Sequence, residues 1–277
     1  MRMRIAVPGM LIALGLIVAV PADAVTQPGK ATLRGWLGFT TLNLGDINDG
    51  IRSARDAFMA DTLVDEASWD PLGGAPNLGV DLDIQLTPVF SAGLGFSTHR
   101  SSVRHQALRI LSYDFDTGEP AEIESYDEET KISAWDVVGT LGLWVPSAPG
   151  FQFGAQLGLV RGTIEREGVY LIDAFTVLPN MQLTQGSWKG TGIVLGAFTG
   201  YEQPVTSQLS FSSRIGYRYR KIGRPTGTIV LTEWGDQGNA REVEHGPLQD
   251  GTGRPIGLDL GGFYFKVGLS MGLGGGE

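Results

Sequence analysis

Leu78, Val80, Leu82, Ile84 and Leu86 alternate with Gly79, Asp81, Asp83, Gln85 and Thr87. Successive side chains of a β-strand point to opposite faces, so this stretch has one wholly apolar face and one face without an apolar side chain. A helix would scatter both classes around its axis. Seven further segments carry the same period. Leu33, Leu37 and Phe39 oppose Arg34, Trp36 and Thr40 within Ala31 to Thr41. Phe90, Ala92, Leu94 and Phe96 oppose Ser91, Gly93, Gly95 and Ser97. Trp135, Val137, Leu141, Leu143 and Val145 share a face, with Asp136, Thr140 and Gly142 between them. The rest are Phe151 to Leu159, Ile193 to Tyr201, Leu209 to Arg220 and Phe263 to Met271.

The links between these segments alternate in length. Thr87 to Val89, Pro146 to Gly150 and Glu202 to Gln208 are short and each contains a proline; Leu42 to Pro76, His99 to Lys131, Glu165 to Ser187 and Ile222 to Pro255 are long. This layout predicts an all-β fold, an eight-stranded antiparallel up-and-down transmembrane β-barrel with short periplasmic turns and long outer loops. With eight strands, both ends fall on the turn side.

A soluble barrel would show the same alternation with its apolar face inward. Three features predict the inverse. The second face is mostly Gly, Ser, Thr and Gln, which suits a narrow eight-stranded lumen better than a solvated exterior. Phe90, Trp144, Phe151, Trp188, Tyr201, Tyr217 and Tyr219 lie near strand ends, where membrane barrels carry aromatic girdles. The charges on the polar face are of both signs and fall at matching heights above the turns. Asp81 and Arg214 are each about six residues up, a rise of about 20 Å, and Asp136 and Arg218 about ten. Arg34 and Lys266 flank the closing seam. The expectation is an internal ion-pair ladder of Asp81, Asp83 and Asp136 with Arg34, Arg214, Arg218 and Lys266, because buried charges are tolerated when paired. Such a ladder either fills the lumen or gates a narrow solute path.

The amino terminus changes the picture of where the chain goes. Arg2 and Arg4 precede an uncharged run, Ile5 to Val20, followed by Pro21, Ala22, Asp23 and Ala24. That order predicts a secretory signal cleaved after Ala24, so residues 1–24 are expected to be a signal peptide and residues 25–277 the barrel domain. The full chain carries 21 Lys and Arg against 30 Asp and Glu, a net charge of −9. An acidic balance argues against nucleic acid as a partner. There is no cysteine, so packing and backbone pairing hold the exported domain together. Glycine is abundant, 41 residues, as a tight lumen requires.

Phe211-Ser-Ser-Arg-Ile-Gly-Tyr-Arg-Tyr219 and Phe263-Tyr-Phe-Lys-Val-Gly-Leu269, set in this layout, resemble the small outer-membrane β-barrel proteins of the OmpA and OmpW type. The resemblance spans Lys30 to Gly272 and rests on layout. It implies insertion by the outer-membrane assembly machinery. Members commonly end on an aromatic residue, whereas this chain reads Met271-Gly-Leu-Gly-Gly-Gly-Glu277.

Some barrels of this size deacylate lipid A with His, Ser and an acid. His99 and Ser101 have the spacing, with Asp114 or Glu119 as the acid; the other reading of His99 is a histidine at a loop base. His105 and His245 have no second ligand at metal spacing, and Asp46-Ile-Asn-Asp-Gly50 reads as a turn, not a calcium loop. Asp127, Glu128 and Glu129, with Glu119, Glu122 and Glu124, form an acidic patch on an outer loop. Ile47 to Ala67 has helical spacing at Ile51, Ala54, Phe58 and Leu63, and Val169 to Leu178 is apolar; both are expected to fold over the barrel mouth as a lid.

These features point to a non-enzymatic outer-membrane barrel of a Gram-negative cell envelope, structural, surface-interacting or passing small solutes through an ion-paired lumen. The alternatives are a lipid A-modifying barrel enzyme and a soluble periplasmic barrel that binds an apolar ligand. Expected partners are outer-membrane lipid, lipopolysaccharide and the assembly machinery, reached after export through the inner membrane. No cofactor, metal or nucleic acid is implied, and a monomer is expected.

Overall fold

A computed structural model describes residues 28–60, 64–118, 120–174, 180–235, 238–249 and 253–273. The expected signal peptide, residues 1–24, and the terminal Gly274 to Glu277 lie outside the described residues. The elements in chain order are β1 (Ala31–Thr41), α1 (Gly45–Met59), β2 (Val64–Trp69), β3 (Gly74–Thr87), β4 (Phe90–Tyr113), β5 (Pro120–Trp144), β6 (Phe151–Ala174), β7 (Asn180–Pro204), β8 (Leu209–Ile222), β9 (Thr226–Gly235), β10 (Gly238–Pro247), β11 (Leu258–Asp259) and β12 (Gly262–Leu273).

Eight of the strands close into a ring. The order is β1-β3-β4-β5-β6-β7-β8-β12, every pair antiparallel. Closure comes from β1 against β12, in register from Ala31 with Leu273 to Thr40 with Tyr264. No edge remains in the ring, which is how a sheet satisfies its backbone groups inside a bilayer. The short links are tight turns. Thr87 Oγ1 accepts the Phe90 amide at 3.0 Å, and Thr206 Oγ1 accepts that of Leu209 at 3.0 Å. Gly150 ends the turn between β5 and β6 at φ +83°, a conformation in which a Cβ would be strained.

The alternation faces the way the sequence predicts. Leu82, Leu141, Phe211 and Phe265 all point outward and are exposed by 39–53 %. The outward apolar run of β3, Leu78 to Leu86, is about 30 Å along the strand, close to the nine to eleven tilted residues that cross a bilayer. Ring pairs stud this belt: Phe151 against Tyr201 at 4.8 Å and Tyr217 against Phe263 at 5.2 Å. Trp144 and Trp188 do not join the girdle. Both sit on even-numbered, inward positions of β5 and β7 and are buried. A soluble barrel holding an apolar ligand is overturned by the same facts, since the apolar face is outside and the interior is charged.

Three of the long links are mostly strand. β4 to β7 run 24 or 25 residues, about 80 Å each, far more than a bilayer needs. Their upper halves leave the ring and rise as a wall, extended by β2 on β4 at one side and by β9 and β10 beyond β7 at the other. The acidic cluster at Asp127 to Glu129 therefore lies in β5, not in a loop. Val169 to Ala174 likewise continues β6 and forms no lid; residues 175–178 lie outside the described residues.

The link after β1 does form a lid. Its helix starts at Gly45, so Asp46 to Gly50 is a first helical turn, not the expected loop turn. Acidic residues favour a helix start, and Ile47 and Ile51 share the face that is buried. Leu63 lies outside the described residues, as do the side chains of Ala54 and Phe58. Asn48 clamps the helix to the returning chain: its Nδ2 donates to the Leu72 carbonyl at 2.9 Å and its Oδ1 accepts the Leu72 amide at 3.0 Å. Ile47 and Ile51 join Leu248, Ile256, Leu258 and Leu260 from the chain before β12, Ile132, Ile164 and Trp188 from β5 to β7, and Ile222 from the top of β8, in one buried apolar cluster across the mouth. Each such side chain contributes about 1.5–3 kcal/mol on burial.

The ion-paired lumen as candidate functional site

Inward positions of the ring place charge at successive heights. Nearest the turns, Arg34 on β1 bonds Asp83 on the adjacent β3 through Nη1. Its Nη2 reaches Glu202 on β7 at 2.8 Å, and Glu202 also accepts from Ser270 on β12 at 2.8 Å. One guanidinium thus ties both sides of the barrel. The next layer centres on Arg214 of β8. It pairs with Asp81 at 2.7 Å, while Trp36 Nε1 donates to the same Asp81 oxygen at 2.7 Å. The Arg214 guanidinium lies over the rings of Trp36 and Phe198, at 4.8 and 4.1 Å from their centroids. Stacking of this kind suits a planar, weakly hydrated cation.

The upper layer centres on Asp136 of β5. It pairs with Arg218 at 3.1 Å and Arg220 at 2.9 Å and accepts the Ser97 hydroxyl at 2.6 Å. Arg218 also donates to Gln156 at 2.8 Å and lies over Tyr264 at 4.8 Å. One rung higher on β8, Ile222 belongs to the apolar cluster. The lumen is therefore filled by charge below and sealed by hydrocarbon above.

Glycines make room for this network. Gly95 and Gly93 lie beside Asp81 and Asp83 in the β3–β4 register. A Cβ on either would overlap the neighbouring carboxylate. Small residues on one strand accommodate large charged ones on the next, inside a cross-section too narrow for both.

Of the seven residues the sequence singles out, six are brought into pairs: Arg34, Asp81, Asp83, Asp136, Arg214 and Arg218. Lys266 is not. It is fully buried between Gly38 and Arg214 in register, and its Nζ lies 5.5 Å from the Tyr264 centroid without an ion pair to a described residue. Among the described residues, five buried lumen cations share four buried carboxylates, and the guanidiniums, with their forked donors, occupy them. Two contributors escape the ladder read from sequence. Arg220 stands in phase with Arg214 and Arg218. Glu202 is hidden by Pro204, which makes its stretch look like a turn, although the parity of Gly196, Phe198 and Gly200 carries through to it.

The acyl-transfer arrangement is not assembled. His99 is an inward, buried strand residue paired with Asn77, not a histidine at a loop base. Ser101 donates to the Gly74 carbonyl at 3.3 Å. Asp114 caps the β4–β5 hairpin, fifteen residues and about 50 Å along β4 from His99, and Glu119 lies outside the described residues. No cluster of metal-ligating side chains occurs among the described residues.

No protein-family description and no curated protein matches this sequence. Among solved structures, a major outer membrane protein of Thermus thermophilus is 14 % identical, covering 89 % of this chain and 100 % of that one, with a TM-score of 0.41. The outer membrane protein OprG of Pseudomonas aeruginosa is 9 % identical over 91 % and 99 % of the two chains, with a TM-score of 0.40. CarO2 of Acinetobacter baumannii is 13 % identical over 90 % and 100 %, with a TM-score of 0.35. The closed register and the direction of the side chains define the fold independently of these likenesses. The chain is an eight-stranded up-and-down β-barrel of the membrane-spanning kind, apolar outside and ion-paired within.

Proposed function

We propose that this protein is a closed, non-enzymatic barrel of the bacterial outer membrane, anchoring a tall β-wall on the cell surface. Residues 1–24 direct export through the inner membrane, and the turns face the periplasm. One observation carries the reading: beneath an apolar plug, the lumen is crossed by side chains that are all but fully buried, among them Arg34, Asp81, Asp136, Arg214, Arg218 and Tyr264. A path for solutes would have to break several buried ion pairs, each costing several kcal/mol. The structural and surface-interacting role is therefore favoured over solute passage.

The test is reconstitution of the full mature chain into vesicles and planar bilayers. Insertion is expected to give heat-modifiable gel migration and protease-resistant strands, with no unitary conductance. A reproducible single-channel current would overturn the closed-lumen reading. Failure to insert would overturn the membrane reading itself.

A further inference from the structure

The outer surface of β4 to β7 changes charge abruptly with height. In register across the four strands, the lowest outward row above the apolar belt is Thr98, Trp135, Arg161 and Thr191, and the next is Arg100, Ser133, Thr163 and Lys189. These two rows hold three cations and no carboxylate. The three rows above hold Lys131 with Glu165, Arg104 with Glu129 and Glu167, and then Asp127.

Pairing follows the same division. Lys131 bonds Glu129 at 2.9 Å and lies 3.7 Å from Glu167, and Arg104 grips Asp127 with Nε at 2.8 Å. Arg100, Arg161 and Lys189 are exposed and make no ion pair with a described residue. In a chain of net charge −9, three unneutralised cations on neighbouring strands are a local excess. Arg100 and Lys189 are three strand spacings apart, about 14 Å, with Arg161 about 7 Å below their row, within joint reach of their long side chains. Trp135, beside Arg161 in register, marks the level where an aromatic ring meets headgroups. The opposite side of the ring offers Thr41, Pro76 and Phe263 at its upper rim instead.

We propose that Arg100, Arg161 and Lys189 seat the phosphorylated headgroup of an outer-leaflet glycolipid, whose acyl chains lie down the apolar wall of β4 to β7. The unpaired cations supply charge complementarity, and the belt directly beneath them, with Leu94, Val137, Leu159 and Ile193 outward, supplies continuous hydrocarbon contact. This inference rests on the membrane-spanning reading with the tall wall outward.

The full mature chain, refolded in detergent and moved into phosphatidylcholine vesicles, tests it by retention of diphosphorylated lipid A through repurification. The diphosphorylated form is expected to be retained and the fully dephosphorylated form not. Arg100→Gln/Arg161→Gln/Lys189→Gln is expected to lose more than about tenfold of that retention, while Arg104→Gln/Lys131→Gln, a few rungs higher, stays within about twofold. Equal retention of the dephosphorylated lipid, displacement by inorganic phosphate alone, or an equal loss in the two variants would overturn it. Should the triple variant fail to insert, the unmodified protein decides: the part of the fluorescence lost in Trp135→Phe should shift with the diphosphorylated lipid and not with the dephosphorylated one, and the absence of that difference overturns the proposal. A wild-type chain that does not insert refutes the membrane reading, whereas insertion without phosphate preference refutes only this inference.

Discussion

Arg34 and Glu202 are 168 residues apart in the chain, and their side chains meet inside the barrel with Nη2 donating to Oε2 over 2.8 Å. The contact ties the first strand to the end of β7, and Ser270 on the last strand holds the other Glu202 oxygen. Glu202→Gln should lower unfolding free energy by about 3 kcal/mol, the lower part of the range for breaking a buried pair, because Asp83 still holds Arg34. Urea unfolding in detergent micelles measures it. In a cycle with Arg34→Met, the double variant should lose less than the sum of the singles; strict additivity would show that the two do not interact.

Asp136 has more to lose. It is fully buried beneath two guanidiniums and a serine hydroxyl. Asp136→Asn keeps the volume and removes the charge, leaving Arg218 and Arg220 together in the lumen without a carboxylate between them. A loss of about 3–5 kcal/mol is expected, larger than for Glu202→Gln. If both substitutions cost the same in parallel unfolding curves, the account of Asp136 as the shared anchor of the upper layer is wrong.

The outward belt makes an opposite demand on charge. Leu157 lies midway up β6 between Phe151 and Arg161 and is 64 % exposed. In water, arginine at such a site would be nearly harmless. In a bilayer midplane it should cost about 2–4 kcal/mol. Unfolding from phosphatidylcholine vesicles is expected to show that loss for Leu157→Arg, and unfolding from loose detergent micelles a smaller one. No difference between variant and wild type in vesicles would mean that β6 does not face lipid.

The lid should come loose without opening the barrel. Asn48 holds α1 to Leu72 through two hydrogen bonds, so Asn48→Ala should cost about 1–3 kcal/mol locally. Limited proteolysis is expected to cut between Gly45 and Met59 sooner than in wild type. Bilayer conductance should stay at zero, since the arginine layers lie below the plug. A current in this variant would place the gate in the helix.

The ladder is legible in the sequence because height along a strand can be counted from a turn. Asp81 stands six residues above Thr87 and Arg214 six above Gln208, and they meet at 2.7 Å. Parity also decides which leucines face outward. What parity does not reveal is the wall. Above Arg100, β4 reads Ser-Ser-Val-Arg-His-Gln, because both faces of a strand that has left the membrane are partly polar. The period-two hydrophobic signal disappears there, and an ordered strand looks like a loop. Trp144 and Trp188 mislead for a related reason: aromatic residues near strand ends suggest a girdle, but their even positions point them into the lumen and plug. Lys266 shows the limit of matching charges by height, since the carboxylates near it prefer guanidinium partners.

His105 supplies the pH dependence of the wall. It is an inward residue of β4 above the plug and is buried. Burial pushes its imidazole below the usual 6.5; Glu128 opposes that, Arg166 reinforces it, and Asp70 opposes it again. A base whose folded pKa is depressed binds fewer protons folded than unfolded between the two values, so stability rises with pH through that window and falls on acidification below about 6.5. The contribution is fully present above 6.5 and declines until the folded pKa is passed. Opening free energies from hydrogen exchange of the β4 and β5 amides near His105, each referred to the intrinsic exchange rate at its own pH, should therefore be lower at about pH 5 than at about pH 7.5, and His105→Gln should remove most of that difference. A full pH response in the variant would show that His105 is not its source.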